Sequence, residues 1–147
     1  MLIRTVLGDI ESKDLGWCQC HEHLFVEKGP SYNVDPALCI DDIEASMEEL
    51  ETYKAAGGAA YVDAQPYYAG RMGDKLYEAA ERTGVNIIAA TGFHKQMFYT
   101  EDAPMYRENE EKLADFFINL SDRRYRATFI RLMFFYIEIQ HIRLKVV

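Results

Sequence analysis

Between Asp41 and Ala56 the apolar side chains Ile43, Met47 and Leu50 recur at the three- and four-residue spacing of one helical stripe. Asp41 and Asp42 stand where an N-cap is wanted and Gly57-Gly58 where the helix must stop, so a helix over 41–56 is predicted. Ala59 to Asp63 is a short, mostly apolar run ending in a Gln-Pro turn, the pattern of a strand. A second helix fits Gly73 to Arg82, closed by Gly84, and Val85 to Thr91 reads as a further strand that stops at Gly92. Leu113, Phe116, Phe117 and Leu120 mark a third helix, whose apolar face must cover something. Short apolar strands alternating with amphipathic helices predict right-handed β-α-β units, a parallel sheet with helices outside it, and the α/β class. No G-x-G-x-x-G follows any of these strands, which argues against a dinucleotide-binding domain.

Composition adds bounds. The 147 residues, 49% hydrophobic with ten Tyr and eight Phe, carry enough apolar surface for a core and suit one globular domain. A net charge of -8 removes the basic footprint that nucleic acid or an anionic membrane would require, leaving small solutes as the expected partners. The amino terminus lacks the long apolar core of a signal peptide, and no segment approaches the roughly 20 apolar residues of a spanning helix, so a cytoplasmic location is expected. Cys18, Cys20 and Cys39 are accordingly read as reduced thiols. The charge is uneven. Residues 1–120 carry 22 acids and 10 bases, a net of -12, whereas residues 121–147 carry 2 acids and 6 bases, a net of +4. That tail has no Gly or Pro and is dense in β-branched and aromatic residues, so it is set apart as a divergent segment.

The sharpest chemical feature is Gly16-Trp17-Cys18-Gln19-Cys20-His21-Glu22-His23-Leu24-Phe25. Strict strand alternation sends His21 and His23 to one side, close enough to grip a metal ion, and Cys18, Cys20 and Glu22 to the other. Zinc and its neighbours favour neutral imidazole nitrogen, so His-x-His on a strand is a sensible half of a metal site. The plain alternative is two incidental histidines at a strand end. A structural zinc knot of Cys18, Cys20, His21 and His23 would count four ligands, but the spacing lacks the usual two loops and alternation splits thiols from imidazoles.

The wording of several blocks carries a resemblance. Ile3 to Gly8, Leu15-Gly16 and His21 to Phe25, then Gly57 to Arg71 (GGAAYVDAQPYYAGR) and Asn86 to Tyr99 (NIIAATGFHKQMFY), together resemble the phosphotriesterase family of the amidohydrolase superfamily, in its lactonase-like version. The resemblance covers residues 3 to about 119. It implies a (β/α)8 barrel with a two-metal site at the carboxyl ends of the strands, hydrolysing lactones or phosphoesters by a metal-activated water. It implies His21 and His23 as the first-strand ligands of a divalent ion, zinc foremost, with the remaining ligands supplied by later strands. A barrel of this type takes roughly 250 residues, so the expectation is its amino-terminal half. That half is an amino-terminal strand pair plus the first three β/α units in residues 1–120, from a truncated or frameshifted copy. His141, in the tail, is not counted as a ligand.

Three further residues join the candidate site through the rim of such a barrel. Asp63, at a strand's carboxyl end, suits either a hydrogen bond to a metal-binding histidine or a loop-capping role. His94 and Lys95 follow the third barrel strand, where they would contact a substrate oxygen or stand as a solvated pair. Glu22 is assigned to the helix side as a structural residue. The expected partner is a small lactone or ester, with no nucleic acid and no membrane. The isolated chain is expected to lack activity, and the rival reading is a non-catalytic fragment that pairs its open sheet with another copy or a separate carboxyl-terminal half.

Overall fold

The computed structural model describes residues 1–122, with side chains as far as Asn119; His141 and the rest of the 121–147 tail beyond Asp122 lie outside the described residues. The chain opens with an antiparallel hairpin, β1 (Leu2–Thr5) and β2 (Gly8–Glu11), in the register Leu2 to Glu11 and Thr5 to Gly8. Then come β3 (Cys18–Glu22), α1 (Pro30–Val34), α2 (Ile43–Ala55), β4 (Ala60–Asp63), α3 (Gly73–Thr83), β5 (Asn86–Ala89), α4 (Pro104–Arg107) and α5 (Glu110–Asp122). Strands β3, β4 and β5 are adjacent in that order and parallel, the α/β arrangement expected from the alternation of elements. The hairpin is tied to the same layer where the Val6 amide donates to the Ile87 carbonyl at 2.8 Å. Among the described residues no helix is long and apolar enough to cross a membrane.

The two central helices form for the reasons the pattern suggested. Asp42 caps α2, its carboxylate accepting from the Ala45 amide at 3.1 Å, and Gly84 ends α3 in the left-handed conformation at φ 70°. Their apolar stripes, Met47 and Leu50 from α2 with Leu76, Ala79 and Ala80 from α3, pack on Val85, Ile87 and Ala89 of the sheet, with Phe25 fully buried among them. Burying a side chain such as Leu50 or Leu76 is worth about 2–3 kcal/mol before the cost of ordering. Lys54 joins the helices end to end by donating to the Thr83 carbonyl at 2.5 Å, one of the last carbonyls of α3. The strands are shorter than the apolar runs: β5 stops at Ala89, opposite the last residue of β4, and the Ala90 amide turns to the Asp63 carbonyl at 2.9 Å.

Strand β3 departs from strict alternation. Cys18 pairs with Ala60 and Gln19 with Tyr61, yet Glu22 pairs with Asp63, so Cys20 and His21 together span the step that Val62 spans alone. This bulge puts the two ends of the strand out of phase. Glu22 shares the helix-facing parity of Tyr61 and Asp63, as expected, and His21 and His23 take the opposite, inner face. Cys18, expected beside Glu22, instead shares the inner parity of Ala60. The kink is held at its base by Tyr53 of α2, whose hydroxyl accepts from the Gln19 amide at 3.2 Å. The same oxygen lies 2.8 Å from the Ala60 carbonyl and 3.0 Å from that of Trp17.

Helix α5 contains the predicted stripe and extends to Asp122, two residues past the composition boundary at 120. Its described aromatic side chains meet the loops after β4 and β5: Phe116 packs edge-on to Tyr67 at 5.1 Å between ring centres, and Phe117 to Phe93 at 5.1 Å. The face that had to cover something covers the carboxyl-end loops.

Candidate active site

The parallel order of β3, β4 and β5 brings three carboxyl ends to one edge, and each delivers a candidate residue there. His21 and His23 leave the end of β3 side by side, both exposed, with ring centres 5.8 Å apart and planes at 76°. They are fixed from behind, because Leu24, Phe25 and Val26 follow them into the interior and Val26 bridges to Ile40 across the loop. The Leu24 amide donates to Asp63 Oδ2 at 2.9 Å, and the Gln65 amide donates to Oδ1 at 3.0 Å. Asp63 is therefore the clasp between the ends of β3 and β4. It has no exposed surface, so of its two expected roles the loop-capping one is what the structure displays. Burial raises its carboxyl to about 6, against the opposing pull of the Leu24 and Gln65 amides and the Arg71 charge.

His94 lies in the loop after β5. Its ring stacks flat on Phe98, 4.5 Å between centres at 8°, and its backbone amide donates to the Tyr99 hydroxyl. Partial burial lowers its pKa, followed by the charges of Lys95, His23 and His21, so the three imidazoles share one electrostatic neighbourhood. Lys95 is exposed beside it. Burial pushes the Tyr99 phenol up to about 12, keeping it protonated as a prop for the loop. Arg71, from the loop after β4, is held by the Ala90 carbonyl at 2.7 Å and stands over the Tyr67 ring. The structure thus brings His21, His23, His94 and Lys95 to one rim and sets Asp63 beneath it.

Between the first loop and the third lies a cleft of about 130 Å³ bordered by His23, Val26, Ile40, Gln65, His94 and Phe98. Gln65 and Phe98 escaped the sequence reading. Gln65 was legible only as half of a Gln-Pro turn, and Phe98 sits in a short 3-10 turn with no periodicity to mark it.

The donor chemistry of the histidine pair suits a divalent ion. A ring centre stands roughly 3 Å from an ion its nitrogen binds, so tetrahedral coordination sets two rings roughly 5 Å apart, and the pair at 5.8 Å would have to close slightly on an ion. Among the described residues no group of three or more His, Cys, Asp or Glu is assembled to hold a metal. Cys18 is at the far end of β3, its thiol raised by burial and by the neighbouring Cys20.

The model of the phosphotriesterase family matches residues 1–131. The chain belongs to the phosphotriesterase family. Among its relatives, a phospho-furanose lactonase of Mycoplasmopsis agalactiae is 37% identical over 99 residues, 66% of this chain and 28% of that protein. The lactonase of Listeria monocytogenes superposes with a TM-score of 0.75 at 25% identity, covering 86% of this chain and 45% of that one. An amidohydrolase of Mycoplasma synoviae gives 0.71 at 29% identity, over 80% and 34%. This chain therefore spans only 28 to 45% of the length of these phosphotriesterase-family relatives, and its α/β fold is similar to the corresponding part of theirs.

Proposed function

We propose that this chain supplies the first three β/α units and the amino-terminal hairpin of a phosphotriesterase-family (β/α)8 barrel, whose complete form hydrolyses a small lactone or ester. The observation that carries this reading is the pairing of His21 with His23 on the inner face at the carboxyl end of a parallel strand, with His94 beside them. In such barrels chemistry is done at that end. A divalent ion, zinc foremost, would supply Lewis acidity there and lower the pKa of a water. His21 and His23 would hold it through neutral imidazole nitrogen, on a strand end kept rigid by Asp63 and by the buried Leu24, Phe25 and Val26. His94, kept neutral near pH 7 by burial and by its cationic neighbour, would hold a substrate oxygen, and the Lys95 ammonium would add positive charge at the rim.

Two imidazoles leave an ion with mostly water for ligands, so the chain alone should bind metal weakly and lack turnover. A second feature points to how a complete site would arise. Among the described residues β3 pairs only with β4, so the histidine-bearing strand presents an open edge on which another copy or a carboxyl-terminal half would add the missing strands. The test is cobalt titration of three proteins: the chain itself, its His21→Ala, His23→Ala variant, and its Cys18→Ser, Cys20→Ser variant. Lactone hydrolysis and sedimentation are measured on the same samples. Binding should vanish with the imidazoles and survive without the thiols, in a protein that self-associates and shows no histidine-dependent turnover. Thiolate-to-cobalt absorption lost in the serine variant would overturn the metal assignment, and a monomer with histidine-dependent turnover would overturn the need for further strands.

A further inference from the structure

Strand β3 carries a second pair of metal-ligating side chains, which the hydrolase reading does not use. Cys18 and Cys20 stand two residues apart, before the ladder slips, so their side chains leave the same face, and Cys18 lies opposite Ala60 on the inner one. Both thiols are free; Cys20 is exposed and Cys18 half-buried. They feel each other's charge, since after burial the neighbouring Cys20 is what raises the Cys18 thiol. The Cys18 thiol donates to the Gln19 carbonyl at 3.7 Å, a weak bond that a stronger partner for sulfur would replace. Among the described residues no third His, Cys, Asp or Glu joins the pair in a cluster fit for a metal. Spacing and ligand number together choose what the pair can hold. Cα atoms two apart on an extended strand lie roughly 6.6 Å apart, at the long end of the roughly 4.4–6.8 Å that a disulfide tolerates. An ion with two metal–sulfur bonds of roughly 2.3 Å lets the sulfurs stand up to roughly 4.6 Å apart, a span that the strand meets without strain. Zinc completes a shell of four, whereas a soft monovalent ion is satisfied by two thiolates in line, and thiolate ligands select copper(I). A cation between the two sulfurs also turns their mutual repulsion into attraction and removes their protons outright.

We propose that Cys18 and Cys20 form a two-coordinate site for a soft monovalent cation, copper(I), on the strand that ends in His21 and His23. On binding, the two thiols release their protons to solvent and two S–Cu bonds form; copper stays copper(I), so no oxidant or reductant is consumed. The site stands apart from the hydrolase reading, because borderline divalent ions go to imidazole and the soft ion goes to thiolate. Trp17, the chain's single tryptophan, is exposed and directly precedes Cys18, so its fluorescence reports on the site.

The experiment is anaerobic titration of the full, reduced chain with copper(I) supplied as its bicinchoninate complex. The colour of the chelator, thiolate-to-copper(I) absorption in the ultraviolet and Trp17 fluorescence are followed together. One copper(I) per chain should leave the chelator, and Trp17 should be quenched in step. Cys18→Ser and Cys20→Ser should each weaken binding more than roughly 100-fold, since loss of even an outer-shell partner costs a metal site roughly 10- to 100-fold. Cys39→Ser, at the third thiol, and the His21→Ala, His23→Ala variant should bind as the parent does, and excess zinc should not displace the copper. Failure to draw copper(I) from the chelator, full affinity in either serine variant of the pair, or loss with Cys39 or with the histidines would each overturn the proposal. So would displacement by zinc, or one copper(I) shared between two chains. If Cys18→Ser does not fold, Cys20→Ser, at an exposed position, still decides it. The cobalt titration above follows the imidazoles and this one the thiols, so failure of either reading is seen apart from the other.

Discussion

Replacing Asp63 with Asn tests the clasp that holds the histidine strand in place. In the native chain the carboxyl is fully buried and raised to about 6 from an ordinary value of 3.8, because the loss of water outweighs the amide donors and Arg71. A raised carboxyl binds its proton more tightly in the folded state than in the unfolded one. Its contribution is therefore fully present below about 3.8 and is lost as pH rises through about 6. The size of that loss follows from the shift at 1.36 kcal/mol per unit, about 3 kcal/mol. Asn cannot ionise, and like the protonated acid it offers one acceptor and one donor to the two amides of Leu24 and Gln65. Its mismatch with those amides adds a constant offset of about 1–3 kcal/mol. Urea unfolding of Asp63→Asn and the parent across pH 4 to 7 separates the two effects, since the other carboxylates cancel in the difference. On passing from about pH 4, where the unfolded carboxyl is already more than half ionised, to about pH 7 the gap should move in favour of the Asn protein by about 2 kcal/mol. A gap that is flat, or that moves toward the parent, would show that the amides and Arg71 outweigh burial and that Asp63 is ionised in the fold throughout.

Two further outcomes check the packing behind the site. Tyr53→Phe removes the hydroxyl that joins the Gln19 amide to the Ala60 and Trp17 carbonyls, and should cost about 1–2 kcal/mol with faster hydrogen exchange at Gln19; unchanged exchange there would refute the clamp. Gly16→Ala combines a left-handed φ of 69° with a new Cβ only 2.5 Å from Ala59 Cβ, so denaturant unfolding should report a loss of about 2–4 kcal/mol, and a neutral result would place the β3 entry elsewhere.

The elements that the chain announces are those governed by local rules. Helix α2 carries its own cap in Asp42 and its own stripe, and α3 carries its stop in Gly84, so both were legible with boundaries within two residues. The parallel order of the sheet followed from the alternation of elements. The bulge in β3 was invisible because it is fixed from 34 residues away by the Tyr53 hydroxyl, and with it went the true face of Cys18. The histidine pair survived this error, since His21 is the second residue of the bulge and His23 lies beyond it, and both keep alternation with Glu22. His94 and Lys95 were legible as rim residues from their place after an apolar run. Gln65 and the burial of Asp63 were not, because whether a polar side chain after a strand faces solvent or backbone depends on the loop of another unit, here Leu24 and Ala69.

The bulge also bears on length variation. Cys18, Gln19 and Glu22 already stand opposite Ala60, Tyr61 and Asp63, so β3 holds one residue more than its ladder requires. Deleting Cys20 would leave His21 opposite Val62, restore an unbroken ladder, and keep both imidazoles on the inner face. An added residue at the same point would either widen the bulge or turn the imidazoles toward the helices. Tolerance to insertion and deletion at this strand is therefore one-sided, and a copy of the strand shorter by one residue would preserve the same histidine geometry.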